Sequence, residues 1–263
     1  MDYRKCEERH SLTKRNFKLF LEFLSDRDYL VTAIDDYGLL YKIEKEHFLK
    51  FICDTNFNSS ECSKLLKDKL LTYLVLKQLG ISIPEGTYLL LGAHQYSDSP
   101  EAIVQSFREV RYPVVVKPND SSLGKGITVL RKFSPESVVN AVRKVQRYSD
   151  VLLVQEYLSG QEYRVVAIRG EMVFALKKYK SPRPPAEAQM SECTKFSDIV
   201  LRSMQCLGAT VCGYDFIVTD GGVKVLEINS NPFIFRIKDY LAKSTRERYF
   251  LGLESLLRRD YGY

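Results

Sequence analysis

The segment from Gly213 to Pro232 reads GYDFIVTDGGVKVLEINSNP, and it constrains the fold more than any other stretch. Two apolar runs flank Asp220-Gly221-Gly222, a combination that folds as a hairpin. Thr210 to Val218 and Val223 to Asn229 are the predicted strands. Asp215 lies on the first, Glu227 and Asn229 on the second. Residues two apart on a strand project to the same side, so Glu227 and Asn229 point together. Carboxylates set among Phe216, Ile217, Val218, Val225 and Leu226 are costly unless a cation answers them. Three oxygen ligands on one face suit Mg²⁺, which keeps several waters and shares its shell with phosphates. Ion pairing of Asp215 and Glu227 with Lys or Arg is the structural alternative.

A second segment, YPVVVKPNDSSLGKGI from Tyr112 to Ile127, predicts a buried strand, Pro113 to Pro118, that delivers Lys117. A turn with Ser121, Ser122, Gly124 and Gly126 follows, and then a strand from Ile127 to Arg131. Glycines let backbone N–H groups approach phosphate oxygens, and a nearby lysine neutralises them. A G-x-x-x-x-G-K-[ST] loop is absent, and a strand rather than a helix follows, so this is not a P-loop. A plain hairpin with flexible glycines is the alternative. The third segment, LLVQEYLSGQEYRV from Leu152 to Val165, reads as a strand, a turn at Ser159-Gly160 and another strand.

The rest of the chain alternates between strands and helices. A helix is expected over Asn16 to Leu24, then strands Leu30 to Ile34 and Leu39 to Ile43 across Asp35-Asp36-Tyr37-Gly38. Phe48 to Ile52 is an apolar cluster. Asn58, with Glu61 three residues on, has the pattern of a capping box for one helix running to about Leu79, where Gly80 ends it. Thr87 to Leu91 reads as a strand. Ser99-Pro100 and Ser134-Pro135-Glu136 each open a helix. Glu162 to Ile168 and Glu171 to Tyr179 read as a hairpin across Arg169-Gly170. Lys180 to Ser191 is a loop, Thr194 to Leu207 a helix, and the tail from Arg236 is helical. Strands come mainly in antiparallel pairs with helices between, so the class is α+β.

In this order the signals resemble the ATP-grasp superfamily, from about Asp68 to Pro232. They look most like RimK-type glutamate ligases, glutathione synthetases and cyanophycin-synthetase-like members. The resemblance implies an ATP-grasp fold, two α+β lobes clasping ATP. Residues 1–62 would form a shortened N-terminal α/β region and 63–263 the ATP-grasp domain, with a small lobe at about 87–155 and a large lobe at about 156–263. It implies that Lys69 and Lys117 hold the ATP phosphates, and that the turn with Ser121, Ser122, Gly124 and Gly126 closes over them. Glu156 with the backbone at Tyr157 and Leu158 would form the adenine hinge, and Glu162 would hold the ribose. Asp215, Glu227 and Asn229 match ligands of Mg²⁺, with Mn²⁺ as a substitute. Arg164 would face the γ-phosphate or a substrate carboxylate, where bidentate donors suit oxyanions. Lys178, or its neighbour Lys177 or Lys180, would face phosphate or carboxylate. The implied activity is that of an ADP-forming carboxylate–amine ligase acting through an acyl phosphate on an amino acid or peptide. Bicarbonate-dependent phosphotransfer and nucleotide binding without turnover are the alternatives.

Two departures bear on that expectation. Only about sixty residues precede Lys69, so the acceptor site calls for a homo-oligomer or a substrate-presenting partner protein. Ser230-Asn231-Pro232-Phe233 puts bulk where relatives carry a small residue and Pro-Gly, which predicts an altered or more apolar substrate pocket. Composition sets further bounds. The charged start MDYRKCEERHSL has no signal-peptide core, and no apolar run reaches the ~18 residues of a membrane span, so a cytoplasmic protein off the membrane is expected. Six cysteines without a C-x-x-C pair, and three histidines, disfavour a zinc site. The net charge of +6 is not gathered into a run, so nucleic acid is not an expected partner.

Overall fold

A computed structural model of the chain describes residues 15–35, 38–92, 98–121, 124–179, 182–232, 234–235 and 237–258. Chain contacts divide it into two compact units. One comprises Ser60–Tyr163 and Tyr214–Ile228, the other Met1–Ser59, Arg164–Gly213 and Asn229–Tyr263.

The first unit holds a four-stranded sheet in the order β4-β7-β5-β6, formed by β4 (Gly86–Leu90), β5 (Val114–Pro118), β6 (Thr128–Leu130) and β7 (Val151–Glu156). β7 pairs antiparallel with both β4 and β5. Helices α4 (Pro100–Glu109) and α5 (Pro135–Gln146) also belong to this unit. Both begin as the sequence dictates. The Ser99 and Ser134 hydroxyls accept from the amides of Ala102 and Ser137, and proline opens each helix. α5 buries Val138, Ala141 and Val145, one face of a 3.6-residue repeat. They share a core with Phe107, Val114, Val116, Leu152 and Val154.

The predicted helix from Asn58 to Leu79 is two helices, α2 (Ser60–Lys67) and α3 (Lys69–Gln78). Asp68 is extended, and its carboxylate accepts from the Leu71 amide at 2.8 Å, so it restarts the helix instead of continuing it. Asn58 is not the predicted cap. Its Nδ2 donates to the carbonyls of Val211 and Ser230, and its Oδ1 accepts from the amides of Thr210 and Val211.

In the second unit a helix α1 covers residues 15–25. A three-stranded sheet follows, ordered β1-β2-β3 (Leu30–Ala33, Tyr41–Lys45, Phe48–Ile52). The apolar cluster at Phe48 is thus a third strand, paired antiparallel with β2. Asp36 and Tyr37 of the expected turn lie outside the described residues. A buried core joins Phe17, Phe20 and Leu24 of α1 to Ile43, Phe174 and Leu253.

The five-stranded sheet runs β10-β9-β8-β11-β12. β8 (Gln161–Ile168) and β9 (Glu171–Lys178) form the expected hairpin, with Arg169 and Gly170 both at positive φ. β11 (Val211–Thr219) and β12 (Gly222–Asn229) are the predicted pair. Within the expected loop, Ala186–Glu187 forms a short β10 on β9. Met190–Phe196 is a 3-10 turn, so α6 begins only at Ser197 and ends at Leu207, closed by Gly208 at φ +61°. The tail forms a 3-10 turn at Lys238–Tyr240 and then α7 (Lys243–Arg258). No described helix is long and apolar enough to cross a membrane.

Candidate active site

A pocket in the first unit draws its polar lining from four elements. Lys69 comes from the first turn of α3, Lys117 from β5, Gln155 from β7 and Glu227 from β12. Ile83, Leu153, Leu226 and Ile228 give it an apolar wall. The folding logic is local. Asp68 caps α3 and so sets Lys69 at its first position. β5 alternates buried and half-buried residues, and Lys117 falls on the half-buried side.

The two lysines and two carboxylates interact. Lys69 Nζ stands 3.9 Å from the Glu227 carboxylate. It also donates to the Asn119 carbonyl at 3.1 Å and to the Ser121 carbonyl. Asn119 Oδ1 in turn accepts from the Leu70 amide at 2.7 Å. The chain leaving β5 is therefore fastened to the start of α3. Burial pushes the Lys117 ammonium down to about 8. The charge of Glu227 opposes that shift, Lys69 reinforces it and Asp215 opposes it. Both carboxylates thus act on the lysine that the sequence singled out, and Asp215 is buried. Among the described residues no three His, Cys, Asp or Glu side chains gather as a metal cluster. A cation at Asp215 and Glu227 would complete its shell with water and phosphate oxygens, the mixed set that Mg²⁺ accepts. Asn229, two residues beyond Glu227 on β12, begins the other unit.

The turn after Lys117 is partly described. Ser121 is buried, while Ser122 lies outside the described residues. Gly124 and Gly126 both have positive φ. A Cβ on Gly126 would also stand 2.8 Å from Pro118 Cγ and 2.9 Å from the Tyr148 ring, so packing as well as backbone excludes a side chain there.

At the hinge, the Tyr157 amide donates to the Pro113 carbonyl at 2.9 Å. The Glu156 carboxylate accepts from the Glu85 amide and from Lys224, a residue the sequence reading passed over. Burial alone would raise the Glu156 carboxyl, but these bonds and the charge of Lys224 outweigh it and hold the group below its ordinary value. Gly160 sits where a Cβ would meet the Val218 carbonyl oxygen at 2.2 Å, so the turn before Glu162 presses directly on β11. Glu162 is exposed on the first part of β8.

Other predicted residues lie in the second unit. The Arg164 guanidinium passes 3.4 Å from where a Gly213 Cβ would stand, and Pro232 lies against the same spot. Lys177 pairs with Glu192 at 2.6 Å, and Lys178 is half-buried at the end of β9. Lys180 and Phe233 lie outside the described residues. The segment after Glu227-Ile228-Asn229 is pinned by N-terminal residues that sequence reasoning missed. Asn58 holds the Ser230 carbonyl, Thr55 Oγ1 reaches Asn231 Oδ1 at 3.4 Å, and Asn16 Oδ1 accepts from the Ile234 amide at 3.0 Å. Polar residues ahead of a predicted ligase core carry no pattern that marks them as anchors.

Comparison with known proteins identifies the family. Residues 66–245 match the family described as RimK-like ATP-grasp domain, a span that holds every site residue from Lys69 to Asn229. A protein of Psychromonas ingrahamii named "Probable alpha-L-glutamate ligase" is 24% identical over 219 residues, which is 78% of this chain and 69% of that protein. D-alanine–D-alanine ligase from Bacillus anthracis, solved in complex with ATP, superposes with a TM-score of 0.59 at 16% identity, over 76% of this chain and 66% of that one. A bifunctional glutathione synthetase from Pasteurella multocida gives 0.62 at 17% identity, over 94% of this chain and 45% of that one. The two structural likenesses show a shared ATP-grasp fold. The chain belongs to the RimK-like ATP-grasp family of carboxylate–amine ligases.

Proposed function

We propose that the chain joins the carboxylate of an amino acid or peptide to an amine, through an acyl phosphate made from ATP. One observation carries the reading. Two lysines from separate elements meet a carboxylate at one part of a pocket whose remaining wall is apolar, which suits a polyanion attached to a flat base. In the first step a substrate carboxylate oxygen attacks the γ-phosphorus, and ADP leaves. In the second an amine attacks the acyl carbon, phosphate leaves, and the amine's proton passes to solvent. Phosphoryl transfer needs positioning and charge neutralisation more than covalent help. Lys69 and Lys117 would supply that at the phosphates. Glu162 would hold the ribose, and Arg164 and Lys178 would orient the substrate carboxylate. Asp215, Glu227 and Asn229 would hold Mg²⁺, which when bound neutralises charge on the transferring phosphoryl group.

Mg·ATP and a panel of amino acids and acidic peptides should give ADP only with a suitable acid. With hydroxylamine replacing the amine, a hydroxamate should form from the trapped acyl phosphate. ATP binding without acid-dependent ADP release across the panel would refute the ligase reading. Bicarbonate-dependent turnover would replace it with carboxyphosphate chemistry.

A further inference from the structure

We propose that Lys224 is a positioning residue for the nucleobase end of the pocket, acting through Glu156. The inference rests on reading that pocket as the nucleotide site. Glu156 ends β7 at the hinge, and its carboxylate already has two partners: Lys224 Nζ at 2.5 Å and the Glu85 amide at 2.9 Å. The Glu156 amide donates back to the Glu85 carbonyl at 2.8 Å. Three residues earlier, the Ser82 carbonyl accepts from the amide of Val225, the residue after Lys224, at 2.9 Å. The short segment from Ile81 to Glu85 is therefore fastened to β12 at one end and to β7 at the other. The Lys224–Glu156 pair closes this triangle by joining β12 to β7 directly. Ile83 sits between the two fastenings and lines the pocket, as do Leu153 of β7 and Leu226 of β12.

This arrangement divides the labour along β12. Glu227, beside the phosphate lysine Lys69, lies three residues from Lys224, about 10 Å along a strand. Lys224 is thus set apart from the phosphate end. Both donors fall on Glu156 Oε1, so together they fix the orientation of the carboxylate at the end of β7. The lysine thereby holds the spacing between the hinge backbone and the apolar wall that a base would meet. The pair is partly shielded, with side-chain exposures of 18% for Lys224 and 32% for Glu156, so it is worth more than an open surface pair.

The test compares two ligands that share phosphates and differ in the base: Mg·ATP and Mg·tripolyphosphate. Lys224→Met should weaken Mg·ATP binding about tenfold, the loss expected when a charge-assisted contact goes, and should leave tripolyphosphate affinity unchanged. KM for ATP should rise while kcat stays within about twofold, the pattern of lost ground-state positioning. Lys224→Arg should restore ATP affinity. Should Lys224→Met not fold, Glu156→Gln serves in its place, because its amide oxygen still accepts from Glu85 while the ion pair is lost. It must show the same ATP-only defect. Equal weakening of both ligands, a fall in kcat at constant KM, or no change would overturn the proposal. Lys117→Met should weaken both ligands; if it spares ATP, the pocket reading itself fails, and that failure is distinguishable from the failure of Lys224 alone.

Discussion

With Lys117 at the ATP phosphates as proposed, nucleotide affinity should depend on pH in a range where ordinary lysines do not titrate. Its ammonium holds the proton only below about pH 8, against 10.5 for a free lysine, chiefly because burial disfavours the charge. Bound phosphates favour the charged form and raise the pKa back toward or above its ordinary value. Binding therefore takes up a proton above pH 8. Affinity is full below that value and falls as pH rises through it. At pH 9 about nine-tenths of the free protein carries neutral Lys117, so Kd should be about tenfold weaker than at pH 7, equivalent to about 1.4 kcal/mol. ATP is not the source of the change, because a phosphate ester loses its last proton near pH 6. Calorimetry in buffers of different ionisation enthalpy should count about 0.9 proton taken up per nucleotide at pH 9, and the uptake should vanish in Lys117→Met. The apo protein should respond in the opposite sense. Its stability should rise between pH 8 and 10.5, where the unfolded chain binds the extra proton and the folded chain does not. A Kd flat from pH 7 to 9 with no proton uptake would refute the argument.

Three further outcomes follow from the geometry. Glu227→Gln should cut turnover at least about 10²-fold, because the carboxylate paired with Lys69 is also the proposed metal ligand, and steady-state ADP release reads this directly. Gly160→Ala places a Cβ 2.2 Å from the Val218 carbonyl oxygen, a backbone atom of β11 that cannot yield cheaply, so a loss of about 3 kcal/mol should appear in denaturant titration. Glu254 is buried and accepts from Arg27 at 2.9 Å and from Tyr29 at 2.7 Å. Glu254→Ala should cost about 3 kcal/mol by leaving those donors without their acceptor, and scanning calorimetry should show the lower transition.

The strands and the chemistry they carry were legible in the sequence because both have a local cause. Asp215, Glu227 and Lys117 sit in apolar runs of strand length, and an ionisable residue there needs a reason to be present. Pro and Ser at the starts of α4 and α5 act within one turn, so those boundaries were legible too. Where the cause is distant, local pattern fails. Asn58 satisfies every preference for an N-cap, and the fold instead uses its amide to tie Thr210 and Val211 to Ser230. Asp68 is only weakly disfavoured inside a helix, so its cap on the Leu71 amide is a local cause that the apolar pattern masks. The fastening of Asn119 to the amide of Leu70 and to Lys69 adds a distant one. β10 exists only because Ala186 and Glu187 find β9.

The same distinction explains why the lysines and carboxylates proposed for the phosphates stand out in the sequence and Lys224 does not. Charge at the phosphate end must be concentrated, so the sequence shows lysines and carboxylates in strands that would otherwise be apolar. A base is held by shape, and shape is set by which backbones lie side by side. Lys224 looks like an ordinary exposed residue of a turn-flanking strand, because its partner Glu156 lies 68 residues earlier in the chain. The N-terminal residues Asn16, Thr55 and Asn58 are hidden in the same way. They fix Ser230, Asn231 and Ile234, the stretch that directly follows the proposed metal ligands. Asn16, Thr55 and Asn58 therefore set where the chain goes once it leaves β12.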